Sequence, residues 1–150
     1  MSFPTRLRRH GKKALLLGIV NAALLSAVMV PVFQAGLSPM PRPPSLAFAE
    51  MLFARALPLP VGLLFHLVYV TLWSAVFVAA AYPRLTFLRA LLLGLALWIA
   101  ALVVFFPIVG WGLLGLSIGP RLLLASLVPH LLFAVFLWIL CRLAFRTPTI

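Results

Sequence analysis

Four runs of about 20 or more almost wholly apolar residues, at 14–37, 61–82, 85–109 and 122–145, constrain this chain more than any other feature in it. At a rise of about 1.5 Å per residue, each run is long enough to cross a hydrocarbon layer of roughly 30 Å as a helix. A chain of 150 residues that is 65% hydrophobic and 9% charged cannot hide its apolar side chains in one water-soluble core, because a domain of this size keeps much of its surface exposed. The runs also lack the period-two polar alternation of a barrel strand. The predicted fold class is an all-α membrane protein with four transmembrane helices.

Two of the runs match each other. ALLLGIVNAALLSAVMVPVFQAGL at 14–37 and ALLLGLALWIAALVVFFPIVGWGL at 90–113 share the opening ALLLG, a proline (Pro31, Pro107) and a Gly-Leu pair (Gly36 and Leu37, Gly112 and Leu113) without a gap. The runs that follow match more weakly, HLVY from His66 against HLLF from His130. Each copy holds two spans, so both enter the membrane from the same side. The expected arrangement is two parallel two-helix repeats about a pseudo-two-fold axis along the membrane normal. Basic residues ahead of an apolar run, here Arg6, Arg8, Arg9, Lys12 and Lys13, mark a signal peptide as well as a first span. The length of the run and its match to an internal span favour a retained helix.

A net charge of +11 would suggest nucleic acid in a soluble protein, but these cations flank the apolar runs and read as topology signals. The N-terminal 13 residues, the turn after the second span (Arg84, Arg89) and the C-terminal end (Arg142, Arg146) hold nine. The other side holds three, Arg42, Arg55 and Arg121. Nine against three predicts cytoplasmic termini, with lipid, including anionic lipid at that face, as partner and no nucleic acid.

Residues 38–60 form the one sizeable loop on the opposite side. SPMPRPPS is too proline-dense for a helix, whereas LAFAEMLFARAL after a candidate N-cap at Ser45 suits a short helix lying at the interface or on the bundle mouth. Glu50 is the only acidic residue. Five residues from Arg55, it is poorly spaced for a helical ion pair, so a solvated or headgroup-level carboxylate is expected. It is also the sole acidic candidate for a proton or cation contact. GWGLLG at 110–115 spells G-x-G-x-x-G, but without a preceding strand it reads as a turn within a glycine-rich segment at 110–121. Gly115 and Gly119 there are expected to permit close packing.

Within the spans, Gly18, Ala22 and Ser26 recur every four residues as a small-residue packing stripe. Asn21 and Gln34 are the polar exceptions of the first span, and Asn21 is expected to make an interhelical hydrogen bond. His66, Tyr69, Trp73 and Phe77 share one helical face. Pro129 should bend the fourth span, with Ser126 as local compensator. His66 and His130, if equivalent, carry two readings: neutral imidazoles that donate to neighbouring helices, or paired axial ligands of a haem. No third or fourth ligand for zinc or copper accompanies them. A single cysteine, Cys141, excludes an intramolecular disulfide, and the lack of a carboxylate pair or a Ser-His-Asp set argues against an enzyme.

Gly18 with the region 29–31, the proline-rich PRPPS, HLVY, the G-x-x-x-W of Gly94 and Trp98, and HLLF together resemble the YagU-like group of small bacterial inner-membrane proteins. In that group glycine typically follows the histidine-aromatic pair, where this chain has Val70 and Ala134. The resemblance implies a four-helix protein of the bacterial inner membrane. Of the function classes, a structural or assembly subunit that associates with other membrane subunits or with itself is expected first. A small oligomeric transporter or channel using Asn21, Gln34, Glu50, His66, Tyr69, Thr71 and His130 comes second, and a haem- or pigment-binding subunit third.

Overall fold

A computed structural model describes residues 3–145. α1 (Phe3–Gln34) is one continuous helix that also takes in the basic segment ahead of the first apolar run. Arg, Lys and Leu are strong helix formers, and the helix continues until Gly36 turns left-handed at φ 68°. There Leu37 N–H donates to the Val32 carbonyl and Gly36 N–H to that of Phe33, the closing pattern that glycine makes inexpensive. α2 (Pro44–Phe53) is the short helix of the loop, α3 (Leu59–Ala81) the second long helix and α4 (Phe87–Ala100) the start of the third. A π-helical turn (Ala101–Phe105) joins α4 to α5 (Phe106–Ile108). After a 3-10 turn at Leu113–Gly115, α6 (Arg121–Phe145) completes the described chain.

The fold is all-α and of membrane type. Four helical stretches, Arg8–Gln34, Leu59–Ala81, Phe87–Ile108 and Arg121–Phe145, are long and apolar enough to cross a bilayer, and no strand occurs among the described residues. α1 packs along α3 on one flank and along α6 on the other, and α6 packs on α4, while α3 and α4 scarcely meet. The helices therefore follow one another in space as α3, α1, α6, α4. Having two neighbours, α1 buries a regular stripe of Ala14, Leu17, Gly18, Asn21, Ala22 and Leu25, the three-and-four spacing of a helix face.

The π turn explains an irregularity in α4. Its buried residues run Ala90, Gly94, Leu97 and then Leu102 and Phe106, a step of five where a regular helix steps by three or four. Phe106 N–H reaches back to the Ala101 carbonyl, so one extra residue is wound into that turn. Pro107, with no N–H to continue the ladder, follows at once. The extra residue brings Phe106 inward against Trp111, at 5.2 Å between ring centroids. A second core of Met40, Ala47, Leu102, Phe106, Trp111 and Leu122 forms at this loop end.

The two hairpins are not interchangeable. Pro31 stays inside a regular helix while Pro107 ends a π turn. A strict two-fold would also map the α1–α6 contact onto an equal α4–α3 contact, whereas the former is extensive and the latter slight. α2 corrects a second expectation. Its N-cap is Pro43, without a side-chain cap bond, and Ser45 lies inside the helix. Proline in the first turn presets the helical φ and needs no N–H there, so the helix starts two residues early.

Candidate functional residues within the bundle and at its ends

Glycine sets the α1–α3 distance. A Cβ on Gly18 would lie 2.6 Å from Thr71 Cα and 3.2 Å from Ser74 Cβ, so only a hydrogen side chain lets the backbones approach this closely. One turn on, Asn21 is fully buried and its Nδ2 donates to Ser74 Oγ at 3.5 Å, the interhelical bond expected of it. Asn21 Oδ1 and Thr71 Oγ1 are buried without a partner among the described residues. Ala22 is buried, while Ser26, expected as the third packing residue, is half-buried at the margin. Because Asn21 keeps an unmet acceptor and only a long bond, Asn21→Leu, the residue at the matching position 97, should change stability by less than about 1 kcal/mol. A thermal melt in detergent checks this. A large loss would mean that Oδ1 holds a partner such as a buried water.

The α4–α6 contact is built in a similar manner. A Cβ on Gly94 would lie 2.7 Å from the His130 carbonyl oxygen and 3.2 Å from Ala134 Cβ. Trp98, one turn from Gly94, donates Nε1–H to Ser126 Oγ at 3.1 Å, and that hydroxyl donates in turn to the Leu123 carbonyl at 3.0 Å. Ser126 therefore does not compensate the Ala125 carbonyl that Pro129 leaves without its usual N–H donor. Its hydroxyl lies on the carbonyl of Leu123 and faces α4. His130 also departs from expectation, since its Nδ1 bonds the Ser126 carbonyl of its own helix at 2.7 Å rather than a neighbouring helix. The Trp98–Ser126 bond was missed by sequence reasoning, although G-x-x-x-W placed Trp98 one turn beyond the close contact.

The glycine contacts also correct the pairing of the histidines. Ser74 and Ala134 hold the same place, each with its Cβ 3.2 Å from the position of a glycine Cβ. His66 precedes Ser74 by eight residues but His130 precedes Ala134 by four. In the register that packing sets, His66 lies one turn, about 6 Å, nearer the loop end than the equivalent of His130. α3 and α6 scarcely meet each other, and α1 packs against both. His66 Nε2 is buried without a partner. Tyr69 is exposed, with its ring edge-on to Trp73 at 6.4 Å. No cluster of three His, Cys, Asp or Glu that could hold a metal occurs among the described residues.

At the loop end α2 lies across the mouth. Gly62 of α3 abuts the Leu46 backbone of α2, and Phe48 packs against Phe65 of α3 and Phe105 of the π turn. Glu50 clamps this cap: its carboxylate pairs with Arg42 and accepts the Leu57 N–H at 3.1 Å. Its side chain is 13% exposed, so it is a paired group rather than the solvated carboxylate expected. Gln34 is exposed at the end of α1. Gly115 is packed tightly on Leu122 and Phe106, as anticipated, whereas nothing approaches Gly119, whose glycine is required by φ 145°.

The Glu50 clamp is pH-dependent. The Leu57 N–H first, and the Arg42 guanidinium second, hold its carboxyl below the ordinary value of 4.5. A depressed carboxyl contributes its full stabilisation above the unfolded value and loses it as pH falls through the lower folded value. The protection factor of the Leu57 amide should therefore be level from neutral pH down to about 5 and fall below about 4. Glu50→Gln should give a lower protection that does not change with pH. Unchanged protection in the parent through the acid range would contradict the clamp.

Compared with family models, with curated proteins and with solved structures, the chain has no significant match.

Proposed function

We propose that this chain is a structural or assembly subunit of a larger complex in the bacterial inner membrane, built on a duplicated hairpin and without catalytic activity. The observation that carries the reading is the closed loop end. α2 stoppers it with Phe48 between Phe65 and Phe105, Glu50 ties the stopper down, and the second core fills the space beneath. Two polar contacts inside, Asn21–Ser74 and Trp98–Ser126, join helix to helix, which favours a rigid packing body over a conduit. The distribution of cations supports cytoplasmic termini, and the resemblance to YagU-like proteins agrees with the compartment. Extraction in mild detergent at native expression should bring down larger subunits with the chain. Recovery only as a free monomer would overturn the proposal.

A transporter or channel is the second reading, and the buried atoms His66 Nε2, Thr71 Oγ1 and Asn21 Oδ1, unpartnered among the described residues, favour it. Substrate-dependent uptake into liposomes that disappears in a His66→Ala, His130→Ala variant would replace the first reading with this one. A haem-binding role has the least support, since the two histidines lie one turn out of register on helices that scarcely meet. A visible absorption band in freshly purified protein would revive it.

A further inference from the structure

The seam between α3 and α4 is open where the other seams are closed. Towards the end that carries Arg84 and Arg89, it forms a groove of about 300 Å³ bounded by Val76, Phe77, Ala80 and Ala81 of α3 and by Arg89 and Leu93 of α4. The walls continue beyond it. Ala96 and Ala100, both exposed, follow Arg89 and Leu93 on one stripe of α4, and Trp73 stands one turn past Phe77 on α3. Within the groove the lining is apolar on both walls apart from Arg89. Left empty it would forfeit dispersion contacts along its whole length, and in a bilayer the group at hand to fill it is an acyl chain.

Arg89 supplies the polar half of the site. Its Nη1 donates to the carbonyls of Ala81 at 3.3 Å and Arg84 at 3.5 Å. These bonds hold the guanidinium at the groove's end and leave further N–H groups of the fork for an external acceptor. The chain has no acidic side chain to provide one: Glu50 is its only acid and is paired with Arg42 at the opposite end of the bundle. Lys12, Lys13 and Arg84 add positive charge at the same end, where His10 and Lys13 of α1 meet Tyr82 and Phe145. A second copy of this chain is a poor occupant, since it brings a net charge of +11 against the same cations. A phosphodiester with an acyl chain meets both requirements, because arginine suits planar recognition of phosphate oxygens and basic pockets between transmembrane helices bind anionic headgroups. The geometry points to the α3–α4 groove as a binding site for one anionic glycerophospholipid, its phosphate on Arg89 and one acyl chain along Phe77, Ala80 and Leu93.

Native mass spectrometry of the full chain in non-ionic detergent, titrated with phosphatidylglycerol or phosphatidylcholine, tests this. One saturable phosphatidylglycerol adduct is expected, about five-fold tighter than that of phosphatidylcholine. Arg89→Gln should abolish the preference, and Ala80→Trp, which fills the groove, should weaken both lipids. Arg142→Gln, whose guanidinium stacks on Trp138 of α6 outside the groove, should change neither. Equal affinity for the two lipids, equal losses from Arg89→Gln and Arg142→Gln, or displacement of the lipid by inorganic phosphate alone would overturn the proposal. Should Arg89→Gln fail to fold by circular dichroism, Ala80→Trp decides: an undiminished phosphatidylglycerol adduct in that variant would also overturn it.

Discussion

Gly18→Leu is expected to destabilise the bundle by roughly 3 kcal/mol, the upper end of what overpacking usually costs. The obstacle is backbone. The new Cβ would stand 2.6 Å from Thr71 Cα and 3.0 Å from the Thr71 carbonyl oxygen, and neither atom can rotate away as a side-chain tip could. α1 and α3 would have to separate, loosening the stripe from Ala14 to Leu25 and the Asn21–Ser74 bond. Gly94→Leu should behave alike at the α4–α6 contact, where the His130 carbonyl oxygen lies 2.7 Å from the Cβ position. Gly11→Ala is the control: nothing lies within 4 Å of its Cβ, and alanine is the better helix former by about 1 kcal/mol. Thermal unfolding in micelles followed by circular dichroism reads all three. A Gly18→Leu variant that melts with the parent would show that the helices are not held this close.

Gly115→Ala should be nearly as damaging, at about 2–4 kcal/mol, because two independent penalties add. Its φ of 76° is left-handed, which costs an alanine about 1 kcal/mol. The Cβ would also meet Leu122 Cδ2 at 2.6 Å and Phe106 Cδ2 at 3.1 Å, and both residues are fully buried, so overpacking adds about 1–3 kcal/mol. Gly36→Ala separates the two terms, since φ is 68° there and nothing approaches within 4 Å. It should show the conformational cost alone. Equal melting of the Gly36 and Gly115 variants would remove the packing argument.

Much of the bundle was legible because solvent and length dictate it. Four apolar runs of span length leave the backbone no way to satisfy its polar groups in lipid except as helices, and the structure has those helices with ends within a few residues of expectation at α3, α4 and α6. Gly18 was legible for a related reason, since small residues mark close helix contacts. The start of α1 was read less well, because the drop in hydropathy at the basic segment marks a change of surroundings and not an end of helix. Glu50 was misjudged because its partners, Arg42 and the Leu57 N–H, come from before and after α2, and helical spacing tests only partners within a helix. The π turn left no clear mark in composition. The match of Pro31 with Pro107 argued for like structure, yet the packing of Phe106 on Trp111 and Leu122 pulled one copy into a different winding.

The sequence by itself determined the solvent, the helices and the collection of cations at one end, since these depend on side-chain chemistry and chain length alone. Tertiary structure decided which helices touch. The order α3, α1, α6, α4 and the slight α3–α4 contact go with where glycines permit backbone approach, Gly18 on α3 and Gly94 on α6. That same geometry moved His66 and His130 one turn out of register and left the groove beside Arg89. Neither outcome is written in a repeat of letters, because a four-residue slip along a helix preserves every local contact within that helix and changes only what it meets across the seam.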